Sequence, residues 1–195
     1  MVSRPRRSAV ALLAASLMTL TACSGGASAD DFSGTALDTP YEVSPLPLTD
    51  TDGQPFSLAD DTDAELTLVF FGYVNCPDIC QTVMGSLAQA MTRLDDADRE
   101  AIDVVYVTTD PERDTAPVIR EYLDRLDPSF IGLTGTLDDV IEVGNSIAVG
   151  VDRVDPGGHT TKIMGIDPED RSPVYWDDDT TGAQFAADIH TLLGG

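Results

Sequence analysis

Cys76 and Cys80 flank three residues at the end of an apolar run, in Phe70-Phe71-Gly72-Tyr73-Val74-Asn75-Cys76-Pro77-Asp78-Ile79-Cys80. A dithiol at this spacing has two chemistries open to it. As thiolates the pair suits a soft metal ion: copper(I) prefers such ligands and zinc accepts them. As a redox pair it can cycle between dithiol and disulfide, one thiolate attacking and the other resolving. Pro77 fits the first position of a helix, where its missing N–H costs nothing, which predicts Cys76 as N-cap. There the positive end of the helix dipole lowers the thiol pKa. Four residues on, Cys80 would share that helix face, with α-carbons about 6 Å apart. A disulfide between them is then feasible but strained and readily reduced.

Two thiolates leave a metal shell incomplete, and the chain has only two histidines. His159 follows Asp155-Pro156-Gly157-Gly158, a turn leading into a strand, and the glycines predict a mobile arm. His190 falls in the last turn of the terminal helix, where a cation at the negative end of the dipole is explanation enough. Met84 lies four residues after Cys80 and reads as core. Asp177-Asp178-Asp179 reads as a solvated run.

The elements that must position these residues alternate in type. Leu66 to Tyr73 is short, β-branched and aromatic, and predicts a buried strand. Val83, Leu87, Met91 and Leu94 recur at helical spacing within a helix from Pro77 to Leu94. Ile102–Thr108 is a second strand, and Asp114 is placed as cap of a helix over 115–126. Phe130–Leu133 predicts a third strand and Leu137–Ile147 another amphipathic helix. Lys162–Ile166 and Val174–Trp176 read as paired strands, and Ala183–Leu193 as the closing helix. Ahead of these, Asp52-Gly53 between two apolar segments signals a hairpin. Strands alternating with helices indicate an α/β layered domain.

The first 22 residues read as a processing segment. Arg4, Arg6 and Arg7 precede an apolar stretch, Ala9 to Leu20, too short for a comfortable membrane span. Leu20-Thr21-Ala22-Cys23 resembles the lipobox of bacterial lipoproteins, which implies cleavage before Cys23 and lipid on its sulfur. Of the three cysteines, that leaves Cys76 and Cys80 as a dedicated pair in an exported protein. Residues 23–40 then form a lipidated flexible tether, small and polar, and 41–195 the folded domain. The net charge of −23 excludes nucleic acid as a partner, because binding it needs a basic face. It also disfavours direct contact with anionic headgroups, so the membrane connection rests on the lipid anchor.

The cysteine segment behind its Phe-Phe-Gly-Tyr strand resembles the Sco/SenC family. Asp110-Pro111-Glu112-Arg113-Asp114-Thr115 and Phe130-Ile131-Gly132-Leu133-Thr134-Gly135 are similar to the family's segments in the same order, and His159 falls where its distal histidine stands. The resemblance covers Leu46 to the C-terminus. It implies a thioredoxin-like fold, here with an N-terminal β-hairpin extension. It implies a copper-binding protein and not an enzyme, anchored on the extracytoplasmic face of the cell membrane. By the resemblance one copper ion, as Cu(I) or Cu(II), is held by Cys76, Cys80 and His159. The partner it implies is the copper-bearing subunit of cytochrome c oxidase, whose dinuclear copper centre the family helps assemble. The alternative is a thiol–disulfide oxidoreductase that keeps the acceptor's cysteines reduced, with Cys76 attacking and Cys80 resolving. Asp110, with Arg113 as its pairing cation, and Asp78 are supporting candidates around the metal ligands. The sequence departs from the family at Gly158, where an acid commonly precedes the histidine, and at Gln81, where proline is frequent.

Overall fold

The two longest apolar runs become the centre of one sheet. In a computed structural model that describes Met1 and residues 32–195, Leu66–Gly72 (β4) and Ile102–Thr108 (β5) pair in parallel, Phe70 opposite Tyr106. Every residue of β4 is buried, as expected of a strand covered on both faces. Leu66, Leu68, Phe70, Val104 and Tyr106 face one core; Val69, Phe71, Val105 and Val107 face the other. The helices Ile79–Met91 (α1), Ala116–Asp124 (α3) and Gly182–Leu192 (α5) cover the first face. Leu137–Ser146 (α4) covers the second.

Eight strands complete the sheet in the order β1-β8-β7-β4-β5-β6-β2-β3. Ile131–Thr134 (β6) adds parallel to β5, while Ile163–Ile166 (β7) lies antiparallel to β4, and Arg171–Trp176 (β8) to β7. Leu48–Asp50 (β2) and Pro55–Phe56 (β3) form the expected hairpin at one edge, turning through Gly53 at φ 79°. This is the expected α/β, thioredoxin-like architecture. Among the described residues no helix is long and apolar enough to cross a membrane.

Three local expectations change. Residues 35–40, read above as tether, belong to a strand, Thr35–Glu42 (β1), paired antiparallel with β8 at the other edge. None of its residues is buried, so backbone pairing holds it and no apolar pattern marks it. The helix that carries Cys80 starts at Ile79 with Asp78 as N-cap, so neither Cys76 nor Pro77 takes the position predicted. The cause is a turn closed by the Cys76 N–H on the Tyr73 carbonyl, 3.1 Å away, which spends two further residues before the helix begins. Thr115, not Asp114, caps α3, because the Asp114 carboxylate is engaged elsewhere. A short helix, Asp96–Glu100 (α2), was not expected; the Asp95 side chain accepts from the Asp98 N–H at its start. The leader, Cys23 and the tether up to residue 31 lie outside the described residues.

Candidate metal centre

The turn after β4 and the first turn of α1 bring the two thiols together. Cys76 is 8% exposed and Cys80 fully buried. Cys80 sits where Gly72 leaves room: a Cβ on Gly72 would stand 3.0 Å from its sulfur. Burial pushes the Cys80 thiol up to about 12, and its hydrogen bond with Cys76 acts in the same direction, against an opposing Tyr73 N–H. Burial also resists ionisation of Cys76, but the hydrogen bond from Cys80 and the N–H groups of Asp78, Cys80 and Ile79 outweigh it. The Cys76 thiol is held below its ordinary value. The sulfur thus gains from the helix start although its residue lies outside the helix.

His159 is carried by the segment 150–160, which crosses back on itself before β7. Val151 and His159 form an antiparallel bridge. The Asp152 N–H donates to the Gly158 carbonyl and the Thr160 N–H to that of Gly150, at 2.8 and 2.9 Å. The Thr109 hydroxyl, just past β5, donates to the Pro156 carbonyl at 2.9 Å. The arm is therefore braced at three places where its glycines predicted freedom. Gly158 has a packing reason, since a Cβ there would stand 2.8 Å from the Asp152 Cβ. An acid before the histidine does not fit this loop.

Nδ1 of His159 lies 3.0 Å from the Thr160 carbonyl, which fixes the proton on Nδ1 and leaves Nε2 as the lone-pair donor. Burial lowers the imidazole pKa, against the Thr160 hydrogen bond, so the neutral, ligating form is favoured. The ring meets Phe70 and Tyr73 edge-on, with centroids 6.2 and 6.5 Å away. Tyr73 stands between the two halves: its ring lies edge-on to that of His159, and burial, together with the nearby Cys76 thiol, raises its hydroxyl pKa.

The sequence-predicted residues are thus brought together in part. Cys76 and Cys80 lie in the same buried cluster, and His159 shares their end of the sheet. Among the described residues, however, no three His, Cys, Asp or Glu side chains are close enough to hold one ion. Asp78 is exposed, and what it offers Cys76 is its backbone N–H. Asp110 is 8% exposed and accepts from the exposed Arg113 at 3.2 Å. Both line a cleft of about 370 Å³ against Asp152 and Pro156, beside the histidine arm. With its cation exposed to solvent, the pair contributes little to stability.

Sequence reasoning missed Tyr73 and Asp114. Asp114 is 1% exposed, and its Oδ2 accepts from the Val74 N–H at 2.8 Å and from the Thr108 hydroxyl at 2.7 Å. It ties the turn that carries Cys76 to the end of β5. Burial raises its carboxyl pKa, against those two hydrogen bonds. Losing them leaves the buried Thr108 hydroxyl unpaired, at about 1–3 kcal/mol, and the half-buried Val74 N–H with it. Asp114→Ala should therefore weaken copper(I) binding about 10–100-fold, the usual loss for a residue that orients a ligand. Asp114→Asn, which keeps an acceptor oxygen, should lose less. Competitive copper(I) titration, with circular dichroism to check the fold, measures both; equal affinity in all three proteins would remove Asp114 from the site.

Three comparisons with known proteins bear on this arrangement. The family model described as SCO1/SenC matches residues 35–194. The yeast (Saccharomyces cerevisiae) mitochondrial protein SCO2 is 39% identical over 99 residues, 51% of this chain and 33% of that protein. The solution structure of apo Sco1 from Thermus thermophilus superposes with a TM-score of 0.72 at 30% identity, covering 83% of this chain and 96% of that one. Bradyrhizobium japonicum ScoI, in a structure with copper bound, gives a TM-score of 0.63 at 28% identity, covering 80% and 99%. The chain spans between a third and about half the length of the first curated relatives it matches.

Proposed function

The chain belongs to the SCO1/SenC family, and from that premise we propose that it is a copper metallochaperone for the dinuclear copper centre of cytochrome c oxidase. Cys76, Cys80 and His159 hold one copper ion as cargo. Cys23 carries lipid and keeps the domain on the extracytoplasmic face of the cell membrane, and the acceptor is the copper-bearing subunit of the oxidase.

The observation that carries this reading is the thiol pair itself, two free buried cysteines from the turn after β4 and the first turn of α1, one of them held below its ordinary pKa by the other and by the N–H groups around it. The donor set fits copper(I): two soft sulfurs and a neutral imidazole whose Nε2 is left free by the Thr160 hydrogen bond. Cys76 and Cys80 would supply the two sulfurs, and His159, held by its braced loop edge-on to Phe70 and Tyr73, the imidazole nitrogen. Three ligands leave a side open to an incoming ligand of the acceptor, which favours handing copper on over storing it. The experiment is transfer: copper-loaded protein is mixed with the copper-free soluble domain of the acceptor, and the two are separated and assayed for metal. Copper should move to the acceptor in one-to-one exchange with loss from the donor; copper that stays on the donor contradicts the proposal.

One observation favours a second reading. A thiol below its ordinary pKa beside one pushed up to about 12 is the division of labour between an attacking and a resolving cysteine. A thiol–disulfide oxidoreductase acting on the acceptor's cysteines would use the same pair, with no need of His159.

A further inference from the structure

The run Asp177-Asp178-Asp179, expected above to be solvated, holds the base of the histidine arm. β7 and β8 pair antiparallel, Met164 opposite Tyr175 and Ile163 opposite Trp176, and there the backbone ladder ends. Two side-chain contacts occupy the next two rungs of the same register. The Lys162 ammonium donates to Asp177 Oδ1 at 2.7 Å, and the Thr161 hydroxyl to Asp178 Oδ2 at 2.6 Å. Both carboxylates stand on a turn closed by the Thr180 N–H on the Asp177 carbonyl, 3.1 Å away. Asp177 and Asp179 are exposed, but Asp178 is half-buried.

The two contacts are unequal. Lys162, the one lysine of the chain, also lies over the Tyr175 ring, 3.7 Å from its centroid. Its partner Asp177 faces solvent, however, and an exposed ion pair holds little. The Thr161–Asp178 bond is short, half-buried and made to a charged acceptor, which places it in the stronger class of hydrogen bond. The grip on the arm therefore rests on Asp178.

Thr161 is joined directly to the group that orients the imidazole. The Thr160 carbonyl, 3.0 Å from His159 Nδ1, belongs to the peptide unit between Thr160 and Thr161. That unit is planar, so holding Thr161 restrains the carbonyl, and the carbonyl restrains the ring. The Gly150 N–H, 3.1 Å from the Thr160 hydroxyl, ties one limb of the arm to the other. Asp178 ties the limb that bears His159 to the end of β8. Resting on the reading of His159 as a copper ligand, we propose that Asp178 is a positioning residue of the metal site, setting through Thr161 the direction in which His159 presents Nε2. An imidazole held this way has less freedom to lose when it ligates.

Competitive copper(I) titration of the reduced full chain, with circular dichroism to confirm the fold, tests this in two backgrounds. Asp178→Ala should weaken binding about tenfold, the lower end of the loss for a residue that orients a ligand, because it acts through Thr161. Thr161→Ala should lose as much, and the two changes together no more. Asp178→Asn keeps an acceptor oxygen and should recover most of the affinity; Asp179→Ala, at the exposed neighbour, should leave it unchanged. In a His159→Ala protein, Asp178→Ala should cost less than about twofold, since no imidazole remains to be positioned. A residue that merely stabilised the fold would cost the same in both backgrounds. That result, or wild-type affinity in Asp178→Ala, overturns the positioning role and leaves the ligand set standing. A His159→Ala protein that binds copper as tightly as the wild type overturns the ligand reading and the positioning role with it.

Discussion

A Cys80→Ser protein should bind copper(I) at least about 100-fold more weakly than the wild type, beyond the upper end of what losing even a supporting residue costs a metal site. Serine keeps the size of the side chain and a polar atom but offers no thiolate, and hydroxyl oxygen is a poor partner for a soft ion. The fold should survive, because the space beside Gly72 that holds the Cys80 sulfur accepts the smaller oxygen. The pH dependence supplies a second readout. Burial pushes the Cys80 thiol up to about 12, so at neutral pH it is protonated and must release that proton when it ligates. Its contribution to copper affinity therefore rises with pH, about tenfold per unit while pH lies below the thiol pKa. Without the thiol that part of the slope disappears. Competitive titration between pH 6 and 8 on both proteins measures affinity and slope together; an unchanged slope would mean that Cys80 is not a ligand.

The second large effect is expected at His159. His159→Ala should weaken copper(I) binding by about 100-fold or more, since two thiols are left to hold the ion alone. Disulfide exchange should be largely spared. The histidine makes no contact that sets the ionisation of either thiol; the causes of those shifts are burial, the thiols themselves and backbone N–H groups. This separates the two functional readings, which the cysteines cannot do because both readings need them. Copper affinity unchanged in the variant would remove the histidine from the site, and copper loss together with loss of exchange would point to a collapsed loop, detectable by circular dichroism.

Much of the fold was legible because it rests on apolar pattern. β4 and β5 are buried on both faces and read as continuous β-branched and aromatic runs. The core side of α1 was set by the spacing of Val83, Leu87 and Met91. β1 was not legible: its eight residues present no buried side chain and are held by backbone pairing and by the Asp188 carboxylate, which accepts from the Gly34 N–H ahead of them. The start of α1 was missed for a related reason. Pro77 satisfies the local rule for a helix start, but the Cys76–Tyr73 turn takes precedence and delays the helix to Ile79. The chemical consequence survived the error, since N–H groups of the helix start still face the Cys76 sulfur.

Asp114 shows the same limit at the site. A local rule makes it a helix cap, and the tertiary structure instead buries it between Val74 and Thr108, 40 and 6 residues away. No sequence spacing carries that contact. Tyr73 did leave a signal, an aromatic residue three places before Cys76, but its link to His159 arises only when the 150–160 segment folds back. Position alone favoured His159 over His190, which the helix end explains, but its role as a ligand came from family resemblance. The structure supplies what resemblance does not: the Thr160 carbonyl that selects its ligating nitrogen.

The most direct measurement is an anaerobic titration of the reduced wild-type protein with copper(I) in the presence of a competing chelator. One equivalent should bind per chain, withdrawn from the chelator with a single affinity, and both thiols should be protected from alkylation once it is bound. A reduced protein that leaves copper with the chelator yet exchanges disulfides readily would contradict this and make the dithiol a redox pair.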